Sequence, residues 1–256
     1  METALHNILE RVRAAAADAT PLRLCGGGSK DFHGLALEGT PLELRPLRGI
    51  ISYEPTELVV TARAGTPLQE LQATLAQAGQ ALAFEPPHFA LGDKQPTVGG
   101  MVAAGWSGPA RASSGAVRDF VLGVEIINGR GELLRYGGQV MKNVAGYDVS
   151  RLMAGSWGTL GVITEVSLKV LPVAPAQATL VFAMDEAQAL EALNRWGGQP
   201  LPLNASCWAQ GQLWLRLCGA QAAVQAACQK LGGERLPDDQ AAALWHSLRE
   251  QQHTWF

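Results

Sequence analysis

Apolar residues recur at helical spacing in two early segments of the chain, residues 5–12 and 68–75. The second helix is expected to start with Thr66 as its N-cap and Pro67 at its first position, because these residue types favour those positions. The first segment is amphipathic and leaves two interpretations open: a helix packed on its own domain, or a helix lying in a membrane interface. Its polar face is mixed in sign rather than basic, which favours packing on the domain.

Alternation of apolar and polar residues predicts strands at 58–62 and 162–170, and a hairpin of 124–127 with 132–136 around Asn128-Gly129. Beyond residue 172 the pattern predicts a strand at 179–183, a helix at 186–196, two short strands within 206–217 and a helix at 220–231. This order is typical of half a ferredoxin-like layer. Pro172 and Pro175 mark a boundary, so we expect an α+β domain at residues 1–172 and a second, incomplete one at 173–256.

Composition narrows the class of protein. With 256 residues and 47% apolar residues, the chain can bury a sizeable core. The net charge of −3 gives no electrostatic case for nucleic acid, and the short apolar runs do not predict a membrane span. The N-terminus shows no apolar secretory segment, so we expect the four cysteines to be reduced thiols. Their spacing fits no metal motif.

A first glycine-rich stretch, Gly26-Gly27-Gly28-Ser29, follows a short predicted strand. Consecutive glycines allow backbone N–H groups to converge on an anion, as in phosphate-binding nests. The stretch matches neither the Walker A pattern nor the Rossmann fingerprint, and neither pattern occurs elsewhere in the chain. From the residues alone, a phosphate loop and a flexible hairpin remain equally open.

Two further stretches are rich in small residues. Nearly every residue from 97 to 105 is small, which predicts close approach of another group. That group could be a ligand, or another helix packed through small residues. Residues 155–161, Gly-Ser-Trp-Gly-Thr-Leu-Gly, lead into the predicted strand at 162–170 and could face a neighbouring strand, a flat ligand or only a tight turn.

The three stretches, together with Gly-Tyr-Asp at 146–148 and the Ile163-Thr164 pair, resemble the PCMH-type FAD-binding domain of the vanillyl-alcohol-oxidase-like flavoproteins. The resemblance implies an α+β fold of two subdomains that binds FAD non-covalently. The FAD-binding residues that it implies are Gly26, Gly27, Gly28, Ser29 and Lys30 at the diphosphate, Thr97, Gly99, Gly100, Gly105, Ser113, Ser114 and Gly115 along the ring and ribityl chain, and Gly158, Gly161, Val162 and Ile163 at the adenine end.

Three expectations follow from this resemblance. Gly27→Val should abolish FAD binding while leaving the fold, because the loop backbone would touch phosphate. Trp157 stands where relatives often carry a carboxylate, and its ring is expected either to cover the adenosine or, by slight preference, to pack in the core. His33 is interpreted as an ordinary loop histidine rather than as a covalent flavin link.

Segments 48–58, 85–88, 115–123 and 141–148 are similar to the smaller FAD-binding subunits of bacterial glycolate oxidases. This similarity implies oxidation of glycolate to glyoxylate within a complex that also holds a larger FAD-binding subunit and an iron–sulfur subunit, which receives the electrons. It implies a cytoplasmic location, with peripheral association at the inner face of the membrane as an alternative. The chain stops in what resembles the middle of a cap domain, so we expect either a truncated sequence or a shortened subunit, with an incomplete cap and an inactive isolated chain in both cases.

Oxidation of a hydroxy acid requires a base, a hydride acceptor and a cation for the carboxylate. The candidate bases, His88, His246 and His253, are separately placed in the sequence. Arg111 and Arg118 could meet a carboxylate or the negative N1 edge of the flavin, although a salt bridge with a local acid such as Asp119 is at least an equal alternative. No catalytic residue and no metal ligands are assigned. A non-catalytic subunit with a vestigial flavin fold remains open, whereas the three stretches together disfavour another kind of phosphate-loop protein.

Overall fold

A computed structural model describes residues 3–35, 38–138 and 146–256. The predicted motif at 141–148 therefore lies outside the described residues up to position 145. Within the described ranges, no helix is long and apolar enough to cross a membrane. The four cysteines have free thiols.

The α-helices of the described ranges are α1 (Thr3–Ala17), α2 (Leu68–Gln77), α3 (Val98–Ala104), α4 (Arg111–Ser114), α5 (Val117–Phe120), α6 (Val149–Leu152), α7 (Glu186–Gly197), α8 (Gln221–Leu231) and α9 (Asp238–Arg249), and Pro55–Glu57 forms a 3₁₀-helix. The strands are β1 (Leu22–Cys25), β2 (Thr40–Glu43), β3 (Ile50–Glu54), β4 (Val59–Arg63), β5 (Gln80–Ala81), β6 (Val121–Ile127), β7 (Leu133–Gly137), β8 (Val162–Lys169), β9 (Leu171–Pro172), β10 (Ala176–Ala183), β11 (Leu203–Ala209), β12 (Gln212–Gly219) and β13 (Glu234–Arg235).

The chain divides into two compact units that are interleaved in sequence. The first comprises Met1–Leu82, Pro86–Trp106 and Ala116–Leu171. The second comprises Ala83–Glu85, Ser107–Gly115 and Pro172–Phe256. Two short segments from the first half of the sequence thus belong to the second unit.

The first unit is built around a five-stranded antiparallel sheet in the order β3–β4–β8–β6–β7. Strands β6 and β8 lie inside the sheet and are buried along most of their length, which explains their high content of β-branched residues. The strands predicted at 58–62 and 162–170 and the predicted hairpin are confirmed as β4, β8 and the pair β6–β7. Two small sheets, β1–β2 and β5–β9, complete the unit.

Helix α1 packs on the first unit, as its mixed polar face predicted. Its apolar residues are buried in one cluster with residues of β2, β6 and β8; the cluster contains Leu5, Ile8, Leu9, Val12, Leu42, Leu47, Ile127 and Val162. Burial of each such side chain contributes about 1.5–3 kcal/mol. The apolar stripe of the helix is therefore accounted for within the chain.

Helix α2 begins one position later than predicted. Its first residue is Leu68 and its N-cap is Pro67, so the prediction of Thr66 as the cap is wrong. The Thr66 hydroxyl instead accepts a hydrogen bond from Gly49 N at 2.9 Å and lies 3.1 Å from Gly49 O, to which it donates. The Thr66 hydroxyl therefore bonds to the backbone of Gly49, 17 residues away in the sequence, instead of capping helix α2 as the local sequence predicted. The predicted buried face of the helix is confirmed.

The first unit carries a partly buried group of charges on its central sheet. Glu125 is 3% exposed and accepts hydrogen bonds from Arg63, Arg135 and Thr164 at 3.3, 2.7 and 2.9 Å. Glu165 lies opposite it on β8, 3.1 Å from Arg63 Nη1. Both glutamates line a cavity of about 240 Å³. Burial, and then repulsion from Glu125, raise the pKa of Glu165 despite the two arginines.

We expect Glu165→Gln to stabilise the protein at neutral pH. Because the pKa of Glu165 is higher in the folded than in the unfolded state, its contribution to stability is fully present in acid and is lost as pH rises through the folded pKa. A permanently neutral glutamine avoids that loss. Urea unfolding at several pH values should show a gain that grows with pH and vanishes in acid. A gain that is the same at all pH values would contradict the assignment.

The second unit holds a four-stranded antiparallel sheet in the order β11–β12–β10–β13. The strands and helices predicted between residues 179 and 231 are confirmed as β10, α7, β11, β12 and α8. The hydrophobic pattern did not predict the two-residue strand β13 or helix α9. With β13 paired to β10, the unit has all four strands of a ferredoxin-like βαββαβ layer rather than half of it. Helices α7 and α8 pack against apolar residues of β10 and β12, and α9 packs with Ala205 of β11.

A buried arginine joins the separate segments of the second unit. Arg216 is 4% exposed; its Nε donates to Asn204 Oδ1 at 2.6 Å and its Nη2 donates to Glu85 Oε2 at 2.7 Å. The same Glu85 oxygen accepts from Ala110 N at 2.9 Å. The guanidinium lies over the Trp245 ring, 4.8 Å from its centroid. Arg216 therefore links the segments 83–85 and 107–115 to the sheet of the second unit, because Glu85 bonds both to Arg216 and to Ala110.

Candidate functional site

The first glycine-rich stretch lies directly after β1, against the segment that precedes α3. Gln95 N donates to Gly27 O at 3.2 Å. A Cβ on Gly27 would lie 1.5 Å from Gln95 O, and Gly28 has φ +73°. Position 27 thus requires glycine because of the chain itself. This corrects the expectation that Gly27→Val would leave the fold intact.

The second stretch, residues 97–105, forms the whole of α3 together with its two caps. Thr97 is its N-cap, and its hydroxyl oxygen accepts from Gly100 N at 3.2 Å. Gly99 N donates to Ala64 O at 2.8 Å, and a Cβ there would meet the Ala64 Cβ at 2.6 Å, so Gly99 is required for packing on the end of β4. Gly100 differs, because it is exposed and a Cβ would meet only Thr97 Oγ1, at 3.1 Å.

The third stretch runs across the C-terminal end of α3. Gly155 N donates to Val102 O at 3.1 Å and Trp157 N donates to Ala103 O at 2.9 Å. A Cβ on Gly105 would lie 2.8 Å from Gly155 N. Helix α3 thus has the first glycine loop near its start and the third stretch at its end, which brings the three stretches together in the first unit.

The adenine-end residues predicted from the sequence lie at the entry to β8. Gly158 has φ +78°, and a Cβ there would meet a Leu24 methyl at 2.7 Å. Gly161 faces Ile127 O, at 2.9 Å from an added Cβ. Val162 and Ile163 are buried, so their side chains belong to the core and only their backbone remains for a ligand.

The first loop carries the cation that its sequence predicted. Lys30 Nζ lies 3.3 Å from Ser29 Oγ and 3.5 Å from Pro87 O, and it stands over the Phe89 ring at 5.6 Å. Ser29 itself is buried. Among the described residues, the N–H groups of Gly26, Gly27 and Gly28 donate to no backbone carbonyl. The loop therefore presents backbone donors together with one ammonium group.

The remaining predicted residues, Ser113, Ser114 and Gly115, belong to the second unit. Ser113 Oγ donates to Ala110 O at 3.1 Å and also to Asn204 O. Gly115 ends α4 with φ +99° and donates from its N–H to Arg111 O. The hydroxyl of Ser113 is thus bound by its own unit.

The candidate acid–base residues are divided between the two units. His88 Nε2 hydrogen-bonds Gln72 Oε1 at 2.8 Å in the first unit. In the second unit, His253 Nε2 pairs with Ser247 Oγ at 2.7 Å, and His246 Nδ1 lies 3.1 Å from Arg249 Nη2. Arg118 Nε lies 4.0 Å from Asp119 on the surface, the salt-bridge alternative considered from the sequence. No catalytic group is assigned from this geometry.

Sequence reasoning missed a cluster of aromatic rings beside the glycine stretches. Trp157 is 41% exposed, so the prediction that it packs in the core is wrong. Its ring stacks on His33 at 4.7 Å and 17°, and meets Trp106 edge-on at 5.8 Å and 78°. Phe32 and Phe89 also contact Trp106. These five residues come from four separate places in the sequence, at 32–33, 89, 106 and 157, and no local spacing connects them.

Comparison with known proteins identifies the family to which the chain belongs. A model described as an FAD binding domain matches residues 5–137. The glycolate oxidase subunit GlcE of Escherichia coli K12 is 50% identical over 249 residues, which is 97% of this chain and 69% of that protein. The glycolate oxidase subunit GlcD of Bacillus subtilis 168 is 31% identical over 158 residues, 62% of this chain and 32% of that protein.

A solved structure of alkyldihydroxyacetonephosphate synthase superposes with a TM-score of 0.73 at 18% identity, over 96% of this chain and 53% of that one. This similarity confirms the predicted mixed α+β fold. The chain belongs to the FAD-binding domain family of FAD-linked oxidoreductases. Within that family it is a homologue of the glycolate oxidase subunit GlcE, as the sequence resemblance indicated.

Proposed function

We propose that the chain is the smaller FAD-binding subunit of a multi-subunit 2-hydroxy-acid oxidase that converts glycolate to glyoxylate. The observation that carries the proposal is the meeting of three glycine-rich stretches in the first unit of a chain 50% identical to GlcE. The proposed partners are a larger FAD-binding catalytic subunit and an iron–sulfur subunit that receives the electrons. The FAD-binding domain is proposed to lie within residues 1–172 and the cap domain at 173–256, with residues 83–85 and 107–115 folding with the cap.

The donor set of the first loop fits the diphosphate of FAD. Backbone N–H groups that lack a backbone partner, next to an ammonium group, are the donors that a dianionic group requires. Gly26, Gly27 and Gly28 supply the N–H groups and Lys30 supplies the charge. The proposed diphosphate site is therefore Gly26 to Ser29, with Lys30 beside it.

When bound, FAD supplies the hydride acceptor for oxidation of a CH–OH group. The contribution of this chain is to hold and orient the cofactor. Gly100, with its open Cα at the start of α3, and Gly105 at its end are proposed to border the ring and ribityl chain, with Ser113, Ser114 and Gly115 also assigned to it. Gly161, Val162 and Ile163 are proposed to contact adenine through their backbone.

A non-catalytic role in assembly is a second candidate, and one observation favours it. Gly27, Gly99 and Gly105 are each required by contacts within the chain. A subunit that had lost its flavin would therefore keep these glycines for its fold alone. In either case the proposed location is the cytoplasm, with peripheral attachment at the inner membrane face through partners as the alternative.

Absorption spectroscopy and a dye-reduction assay test the proposal. We expect the purified chain, alone or with its partner subunits, to show the visible spectrum of bound FAD. We expect no glycolate oxidation by the isolated chain with an artificial dye, and activity once the larger flavin subunit and the iron–sulfur subunit are added. A complex whose smaller subunit contains no flavin would favour the assembly role. Glycolate turnover by the isolated chain would contradict the proposed division of labour.

A further inference from the structure

Two tryptophans of the first unit form a right-angled corner with an imidazole inside it. The rings of Trp106 and Trp157 meet at 78°. The His33 ring lies nearly parallel to Trp157, at 17°, and edge-on to Trp106, at 86° and 5.0 Å. We call Trp106 and Trp157 the indole corner. It holds one flat heteroaromatic ring in both of the geometries that aromatic pairs prefer.

The backbone of Trp157, one side of the indole corner, is in a strained conformation. Trp157 has φ +51°, a conformation that is strained for a bulky residue. Its N–H is fixed to Ala103 O at the end of α3. Despite the strain, the indole remains partly exposed instead of adding to the core. Phe89, which packs against Trp106, is also left-handed, with φ +48°. Strain at two neighbouring aromatic residues points to a binding role for the cluster.

The imidazole, in contrast, is held loosely. His33 is exposed and lies in the turn after the first glycine loop, where its N–H donates to Lys30 O at 3.1 Å. No side-chain hydrogen bond of the described residues fixes its ring, and its contacts are the two indoles. The ring can therefore leave the corner by a change of side-chain rotamer, without breaking the turn.

We propose that the indole corner binds a planar heteroaromatic ring of the cofactor, and that His33 occupies the ring's place until the cofactor displaces it. This inference rests on the proposed function. It follows from the position of the corner, because Trp157 lies within the third glycine stretch and His33 lies three residues after Lys30 of the first loop. FAD carries two such rings, adenine and isoalloxazine, and either fits the corner by the same stacking chemistry.

Three variants of the full chain test the corner. Trp157→Gly removes the indole and also relieves the left-handed strain, so the fold should survive. We expect it to weaken FAD binding about tenfold or more, as loss of an aromatic stacking partner does. Trp157→Phe keeps a ring and should bind FAD within about threefold of wild type by the same reasoning. His33→Ala should bind FAD as tightly as wild type or more tightly, because the competitor is gone.

The dissociation constants are measured by quenching of flavin fluorescence, with circular dichroism as the check on folding. If wild type binds FAD and Trp157→Gly binds it equally well, the inference is overturned while the proposed function stands. If wild type binds no FAD either alone or with its partner subunits, the proposed cofactor role is wrong and the indole corner has no flavin to bind. If His33→Ala weakens binding as much as Trp157→Gly, the imidazole is part of the site and the displacement is wrong.

Two simpler ligands identify the ring. ADP carries adenine without flavin, and riboflavin carries isoalloxazine without adenine. If Trp157→Gly weakens ADP binding and leaves riboflavin binding unchanged, the corner binds adenine. The opposite result assigns it to isoalloxazine. If neither ligand loses affinity, the stacking role is excluded.

Discussion

Gly27→Val is expected to abolish FAD binding and to lower the free energy of unfolding by about 3 kcal/mol, the upper part of the usual cost of overpacking. The reason is geometric, because even a single Cβ would lie 1.5 Å from Gln95 O. The loop must then move away from the segment that leads into α3. Flavin content after purification and urea unfolding measure the two effects. A folded, fully stable variant without flavin would show that the loop touches only the ligand.

Gly100→Ala is the matched variant, because it should change FAD affinity without lowering the stability of the fold. Gly100 is exposed, and an added methyl group would meet only Thr97 Oγ1, at 3.1 Å, so this oxygen must shift by a few tenths of an ångström. Alanine is favoured over glycine within helices by up to about 1 kcal/mol, so stability should hold or rise. FAD affinity should nevertheless fall about tenfold, since the methyl group would overpack the proposed contact between Gly100 and the flavin. If this variant binds FAD like wild type, the placement of the cofactor along α3 is wrong.

Arg216→Met is expected to destabilise the second unit by about 3–5 kcal/mol, the usual cost of breaking a buried ion pair. Methionine replaces much of the packing on Trp245 but leaves Glu85 and Asn204 without their donor. Because Glu85 is itself 28% exposed, water can reach it, and the lower end of this range is expected. Urea unfolding followed by tryptophan fluorescence measures the loss.

Arg235→Met provides the control in the same unit. Arg235 is exposed and lies 3.4 Å from Asp238, an arrangement typical of surface ion pairs that contribute at most about 1 kcal/mol. We expect its unfolding curve to match that of wild type closely. Equal destabilisation by the two substitutions would mean that the buried network adds nothing beyond an ordinary surface pair.

Local patterns in the sequence were sufficient for most of the fold. Period-two and helical spacing located β4, β8, the β6–β7 hairpin and helix α2, because each of these elements buries one or both of its faces. The fourth strand of the second sheet was missed because Glu234 and Arg235 are exposed and polar. Its pairing to β10 comes from the tertiary position of the chain rather than from its own residues.

The candidate site shows where sequence reasoning stops. The glycines correctly indicated close backbone approach, but sequence could not say what approaches. At Gly27 and Gly99 the partner is a carbonyl or methyl group of the protein, whereas Gly100 remains open. Trp157 was expected in the core because large apolar side chains are usually buried there. The side chain of Trp157 is exposed because its backbone is left-handed, and no residue pattern in the sequence predicts that conformation.

The interleaving of the two units also constrains how the chain can reach its folded state. Glu85 and Arg216 are 131 residues apart in sequence, yet their ion pair belongs to one compact unit. Such a contact closes a long loop, and contacts of high sequence separation slow folding. The second unit cannot be completed during synthesis until β12 has left the ribosome, long after Glu85 has emerged. A gene fragment that begins at residue 172 would encode its sheet but omit Glu85, so this unit is not an independently transferable module.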